Sequence, residues 1–270
     1  LMKFKIKKIN FIRKIYIFFL IFGINLKKIF NLIHVFQYIK DFINFKNKGG
    51  KINNIYPFLE NFNLVSNEHK NQFFHADLLV SKKIYESNPS SHLDIGSRVD
   101  GLVAHLASFR KLDFLDVRSV DTYPHDNINS IKKNIMNLDT SNFDKKYDSI
   151  SSIGVISHVG LGRYGDEIDP HGHIKAIKSI TKLLEKNGTI YVMVPVGKKR
   201  TEFNAHRVFA PEDIIEFFNN NGCKFTEFSL VDDEGNLHID CDLQLSKDLD
   251  FGGGIFIFKN LYKLIIKKNI

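Results

Sequence analysis

Apolar positions along this chain recur at two different periods, and the switches between them mark out the elements. From His92 to Ile95 a short buried-type run ends at Gly96, which predicts a strand closing in a glycine turn. Val99, Leu102, Val103 and Leu106 then fall at i, i+3, i+4 and i+7, predicting an amphipathic helix. Ser97 is placed to cap it, with Asp100 three residues later in capping-box spacing. Upstream, 71–86 carries Phe73, Ala76, Val80 and Ile84 on one stripe, a helix ended by Asn88-Pro89. Downstream, 111–118, 128–139, 147–159 and 188–197 predict four further strands. The last is apolar on nearly every residue, as a strand covered on both faces requires. A helix over 174–185 meets a C-cap signal at Asn187-Gly188. Another helix starts at Pro211, and 224–232 and 254–259 read as two late strands. This order predicts an α/β fold: a doubly wound, mostly parallel, seven-stranded Rossmann-like sheet with an antiparallel edge.

The first third is different. Residues 15–26 form an uncharged run of twelve between Lys14 and Lys27. That is short of the roughly 20 apolar residues that cross a bilayer, and no small-residue cleavage site follows. Gly23 and Asn25 predict a break, with a second helix from about Leu26 to Phe45. The polar stretch Asn47 to Asn54, with Gly49-Gly50, makes a boundary. The organisation expected is a basic N-terminal helical extension over 1–70 and a sheet domain over 71–270.

Charge sharpens that division. The formal net charge is +8, but residues 1–51 hold twelve Lys/Arg against one acid, a net of +11. Residues 259–270 add four Lys and no acid, so the middle carries 22 Lys/Arg against 29 acids. An acidic body with basic ends argues against a nucleic-acid enzyme, whose basic surface surrounds its site. Two destinations stay open for the extension: an anionic membrane surface, contacted peripherally, or docking of its apolar faces on the domain. Two cysteines, Cys223 and Cys241, without ligand spacing fit a reducing compartment, so the expected location is cytoplasmic, at the inner membrane face.

The turn at 94–97 narrows the chemistry. Gly96 and Gly101 do not make G-x-G-x-x-G, and no Gly-Lys-Ser/Thr follows, so a dinucleotide fingerprint and a P-loop are both excluded. Asp94 beside Gly96 would repel a pyrophosphate and suits a sulfonium, which favours S-adenosylmethionine over NAD or ATP. Asp116 stands twenty residues beyond Gly96, where a carboxylate accepts from a ribose diol. Asp139 follows the third strand, at the place of an adenine-edge contact. Ser97 and Arg98 complete the cofactor side. His75 and Asp77 on the preceding helix would lie against the same pocket. The loop 160–173 is too polar and glycine-rich for core and reads as functional. Its Asp166, Asp169, His171 and His173 are ligand types without a second cluster, so no metal is expected.

Several blocks carry a family resemblance. The strand succession, the DIGS turn, Asp116 and ISHV (156–159) resemble class I S-adenosylmethionine-dependent methyltransferases. FFHADLLVSKKI (73–84), DIGSRVDGLVAHLASF (94–109), HVGLGRYGDEIDP (158–170), VPVGKKRTEFNAHRVF (194–209) and VDDEGNLH (231–238) resemble the family called domain of unknown function 268. The resemblance covers about 70–240. It implies a Rossmann-like fold and the cofactor class, with a sugar substrate suggested by the association of relatives with surface-glycan synthesis. Many relatives carry Glu-His at the end of strand 4, where this chain has Ser157-His158.

Methyl transfer to a hydroxyl needs alignment and a base near neutral pH. His158 is the first candidate, His206 the second, with Asp166 as the third catalytic candidate. Arg163, Tyr164, Arg200, Glu202, Asn204 and Arg207 are the expected acceptor contacts, the arginines suiting an anionic acceptor such as a nucleotide sugar or lipid-linked glycan. The alternative is a non-catalytic cofactor-binding or scaffold protein of a membrane-associated glycan assembly system. A third reading is a metal-dependent sugar-modifying enzyme on the same sheet.

Overall fold

A computed structural model describes residues 15–25, 29, 31–59, 70–118, 122–143 and 145–260. The chain divides into two compact units, Leu1–Ser66 and Asn67–Ile270. In the first, 15–21 is helical and a 3-10 turn Asn31–His34 leads into a helix Val35–Asn47 that buries none of its residues. The expected start of the second helix near Leu26 and the basic stretch 1–14 both lie outside the described residues.

In the second unit the main sheet has eight strands in the order β3-β2-β1-β4-β5-β10-β8-β9. They are β1 His92–Ile95, β2 Leu112–Asp116, β3 Ile128–Lys132, β4 Tyr147–Ile153, β5 Leu184–Val196, β8 Lys224–Val231, β9 Leu237–His238 and β10 Gly252–Lys259. A separate hairpin pairs β6 Arg200–Glu202 with β7 His206–Val208. Strands β1 to β5 are parallel, whereas β10 runs antiparallel to both its neighbours. The antiparallel strand is therefore inside the sheet, between β5 and β8, and the two-residue β9 supplies the eighth strand at the edge. One core cluster includes Leu93, Ile150, Ile177, Val192 and Phe256; the other includes Val80, Leu102, Phe114 and Ile255. Helices α1 Gln72–Ser87 and α3 Gly172–Leu183 each contribute a buried stripe to one of them. The third helix of this set, α4 Pro211–Asn219, begins on a proline at its first position, where no N–H is needed.

Several local expectations are corrected. Ser97 caps nothing: Arg98 precedes a π-helical turn Val99–Val103, which runs into the short helix α2 Ala104–Ala107. Gly101 leaves helical geometry within that turn, and Asp100 pairs with Arg98 instead of closing a capping box. The third strand stops at Lys132, and 3-10 turns Ile135–Asn137 and Thr140–Asn142 follow. Strand β4 stops at Ile153, so Ser157 and His158 lie in the loop beyond a left-handed Gly154. Helix α3 ends at Leu183, before Asn187-Gly188; Asn187 takes a positive φ within β5, where the pairing with β4 shifts register.

Strand β4 carries three buried serines where a parallel core strand is ordinarily aliphatic: Ser149 and Ser151 on one face and Ser152 on the other. Across the β1–β4 seam, His92 reaches Ser149 Oγ through Nδ1 at 2.9 Å and Ser151 Oγ through Nε2 at 3.0 Å. Ser151 spends its own proton on Asp94, so it accepts from His92 Nε2–H, which fixes a neutral tautomer. Burial pushes the His92 pKa down to about 3. Its folded-state value lies below the unfolded one, so its contribution to stability is full above about pH 6.5 and is lost as pH falls toward 3. Urea unfolding at successive pH values is expected to show wild type losing more stability than His92→Asn between neutrality and pH 5; equal slopes would contradict the assignment.

Candidate active site

At the carboxyl ends of the parallel strands opens a cavity of about 710 Å³, lined from the β1 turn, the end of β2, the β4 loop, β5, the start of α1 and Phe251. Its size is that of a small-molecule site. Strand twist and the β1–β2 register, with Ile95 opposite Leu115, bring the glycine turn and Asp116 to one level.

The turn is set by backbone geometry that a side chain would oppose. Gly96 has φ +66°, its N–H donates to Leu115 O at 2.9 Å, and a Cβ there would stand 3.1 Å from Val155 Cγ1. Beneath it Asp94 is wholly buried. Its Oδ1 accepts from Ser97 N at 3.0 Å, and Oδ2 from Ser97 Oγ at 2.7 Å and from Ser151. Ser97 Oγ in turn accepts from Ile153 N at 3.0 Å. Asp94 therefore shapes the turn from below and is not part of the cavity wall, whereas Gly96, Ser97 and Arg98 line it. Desolvation raises the Asp94 pKa to about 7, against the lowering effect of its serine donors. Arg98 lies over the Phe73 ring at 5.6 Å while paired to Asp100 at 2.9 Å.

Asp116 lines the cavity and is mostly committed. Its Oδ1 accepts from Arg118 N at 2.7 Å and Nε at 3.1 Å, and its Oδ2 from the same guanidinium at 2.9 Å. Oδ2 keeps one lone pair. A diol that uses both oxygens must draw the Arg118 fork aside. The Arg118 guanidinium also lies over Tyr164 at 4.3 Å, so it joins the β2 end to the loop that faces it.

That loop is held by its own polar groups. Asp166 accepts from Gly160 N at 2.7 Å and from Tyr164 N at 3.3 Å, which makes its carboxylate a clamp on the loop as well as a cavity-lining group. His158 lines the cavity, with Nδ1 2.6 Å from Ala205 O. A carbonyl only accepts, so Nδ1 carries the proton and Nε2 the lone pair. Arg163 Nη1 donates to the same carbonyl at 2.8 Å; its 3.4 Å approach to Nδ1 joins two donors and is no bond. Burial lowers the His158 pKa to about 4, the carbonyl bond opposing it. The ring meets Tyr164 edge-on at 5.7 Å and His206 at 6.4 Å. His206 lines the same cavity, its ring tilted against Phe251 at 4.7 Å and 3.4 Å from Glu202.

The other expected residues lie elsewhere. Asp139 caps the turn Thr140–Asn142 through Ser141, away from the cavity; Lys133, Asn134 and Ile135 occupy the wall on that side. Glu202 and the exposed Asn204 belong to the β6–β7 hairpin, and Arg200 is paired to Glu202 at 2.8 Å. Arg207 is buried and donates to Val159 O at 2.7 Å. His75 meets Gly235 O at 3.2 Å, and Asp77 lies against Gly101, its pKa raised by burial to about 6. Neither lines the cavity. Among the described residues no group of three or more His, Cys, Asp or Glu is placed to hold a metal ion. Asp169 of the loop pairs with Lys175, and His173, in the first turn of α3, packs against Phe209 and Phe217. Arg118, Phe73, Tyr123 and Phe251 line the cavity without having been singled out as site residues. Arg118, two residues past Asp116, carried a local signal; Phe251 carried none.

A family model described as Caenorhabditis protein of unknown function, DUF268, matches residues 111–226. No curated protein matches the chain. Among solved structures, a 1,6-didemethyltoxoflavin-N1-methyltransferase from Burkholderia thailandensis, with its substrate and S-adenosylhomocysteine bound, is 12% identical with TM-score 0.50 over 70% of this chain and 80% of that one. The [4+2]-cyclase SpnF is 13% identical with TM-score 0.50 over 68% and 80%. The N-methyltransferase NodS from Bradyrhizobium japonicum, with S-adenosylhomocysteine, is 15% identical with TM-score 0.48 over 74% and 91%. At such identities the likeness is one of fold. The chain thus carries a DUF268 match over part of its length and shares its mostly parallel sheet fold with a solved methyltransferase and a cyclase.

Proposed function

We propose that the second unit is an S-adenosylmethionine-dependent methyltransferase that methylates a hydroxyl of a sugar or glycan precursor. The observation that carries this reading is the pairing of a glycine cradle with Asp116 on one wall of a cavity whose opposite side presents His158. The missing Cβ of Gly96 and the lone pair of Asp116 Oδ2 fit a nucleoside and its ribose diol. The likeness to a toxoflavin methyltransferase holding S-adenosylhomocysteine supports it further.

When bound, the sulfonium cofactor supplies an electrophilic methyl group. Around it the chain's own residues align the acceptor and exclude water. His158 Nε2, which keeps the lone pair because Nδ1–H donates to Ala205 O, would take the proton of the acceptor's hydroxyl. Ala205 O stabilises the imidazolium through Nδ1–H. Arg163 and Tyr164 offer a cation and a ring to the acceptor. The non-catalytic reading draws on the weak basicity of His158 and on the commitment of Asp116 to Arg118; the fold similarity to a cyclase shows that such a sheet is not tied to methyl transfer.

The first unit extends the proposal to the inner membrane surface. Residues 1–51 carry a net +11, and Ile33, Phe36 and Ile43 are exposed on the described helices. Basic charge beside apolar side chains is the signature of an interfacial helix. No helix among the described residues is long and apolar enough to cross a membrane.

Calorimetric titration is expected to show S-adenosylmethionine and S-adenosylhomocysteine binding, with NAD inert. Asp116→Ala should weaken both by about 10- to 150-fold, one charged hydrogen bond being worth roughly 1.5–3 kcal/mol; a protein indifferent to the nucleoside rejects the cofactor. His158, held near pKa 4 by burial, should show no imidazole titration by NMR between pH 5.5 and 8, and its base function should fail only as pH drops toward 4. A midpoint near the ordinary histidine value would overturn that environment. The full chain should sediment with vesicles containing phosphatidylserine, release in high salt, and ignore neutral vesicles.

A further inference from the structure

Behind the β6–β7 hairpin lies a second cleft of about 310 Å³ that shares no lining residue with the large cavity. The hairpin divides the two: His206 lines the cavity, and the next residue, Arg207, lines the cleft. Lys199, Arg200 and Arg207 face it against one carboxylate, Asp213. Two of these cations are already balanced, Lys199 by Asp213 at 2.8 Å and Arg200 by Glu202 at 2.8 Å.

Arg207 is held differently. It is 6% exposed, its hydrogen bonds among the described residues go to carbonyls, and the carboxylates of Asp166 and Asp169 act on it only through space. One Nη1 bond to Val159 O at 2.7 Å is good, while Nη2 makes only long contacts of 3.5 and 3.4 Å to the carbonyls of Asp169 and Pro170. A buried guanidinium with carbonyl partners alone bears a desolvation penalty that an opposite charge would relieve. Beside it the buried His173 Nδ1 has no hydrogen-bond partner among the described residues, its ring packed 5.6 Å from Phe209 and 5.8 Å from Phe217. Arg207, a buried cation whose hydrogen bonds go to carbonyls, and His173, with an unspent ring nitrogen, both line one hollow.

We propose that this cleft binds a small oxyanion, a phosphate group, between Arg207 and Lys199, with His173 Nδ1–H as an added donor. Fork geometry on Arg207 suits two phosphate oxygens. Lys199 exchanges part of its pairing with Asp213 for the anion. The proposal does not rest on methyl transfer, and either can fail without the other.

The test is titration of the full chain with inorganic phosphate, pyrophosphate and a uridine diphosphate sugar at constant ionic strength, followed by calorimetry and by the histidine ring signals in NMR. Saturable binding is expected, with the His173 signal shifting and that of His158 still. Lys199→Gln should weaken it at least about tenfold while retaining the circular dichroism spectrum; Arg207→Gln should abolish it. Because Arg207 also supports the loop, Lys199→Gln decides if Arg207→Gln does not fold. Inorganic phosphate binding as tightly as the diphosphates identifies a free phosphate as ligand; stronger binding of the nucleotide sugar identifies a phosphate carried by a larger molecule. Either supports the site. No saturable binding, equal binding by Lys199→Gln, or a shift confined to His158 overturns it.

Discussion

A carboxylate buried without a cation, Asp94, is the constraint on which the candidate site rests. Three donors surround it: Ser97 N, Ser97 Oγ and Ser151 Oγ. Burying such a group is costly, and its pKa near 7 shows that the donors offset only part of the penalty. What the arrangement yields is a turn with one geometry. Ser97 is tied down to Asp94 and across to Ile153 N, so Gly96 is left in its left-handed conformation with its N–H on Leu115. The proton order His92 Nε2–H to Ser151 to Asp94 extends the same network through the β1–β4 seam. Ser149 and Ser151 of β4, unusual in the middle of a parallel sheet, are explained by it.

The elements of the fold were legible because their periods are strong: near-continuous apolar runs for the buried strands and a 3.6-residue stripe for α1. Their ends were less so. The Asn187-Gly188 pair reads as a helix terminus, yet the chain uses that positive φ inside β5, where pairing with β4 overrides the local signal. At the site, sequence spacing located the glycine turn and Asp116 but not what their side chains face. Asp94 looked like a ligand group because its partner Ser151 is 57 residues away. Asp139 looked like a wall residue because the third strand was drawn too long; once β3 stops at Lys132, the chain turns and the wall falls to Lys133, Asn134 and Ile135.

The two sides of the cavity are coupled by long polar side chains. Arg118 holds both oxygens of Asp116 and lies over Tyr164, so the group expected to meet a ribose and the ring expected to meet an acceptor share one guanidinium. Drawing Arg118 from Asp116 would change what Tyr164 presents. Opposite, the carbonyl of Ala205 accepts from both His158 and Arg163, which fixes the tautomer of the first and the position of the second. Ala205 sits between the two strands of the hairpin, so the candidate base takes its orientation from β6–β7 rather than from the sheet.

That dependence bears on where specificity resides. The arginines grouped by the sequence do not converge: Arg163 lines the large cavity, while Arg200 and Arg207 line the cleft behind the hairpin. Arg207 also grips Val159 O, one residue beyond His158, and its own N–H donates to Ser157 O at 2.9 Å. Hairpin and β4 loop are thus stitched together on both sides of His158. The sheet by itself does not fix the reaction, since the cyclase SpnF shares the fold. The hairpin is different in kind, because it carries the carbonyl that orients the candidate base His158 and the buried guanidinium of Arg207 behind it. Residues 198–209 thus place one candidate base, His206, on the cavity side of the hairpin and one buried guanidinium, Arg207, on the other.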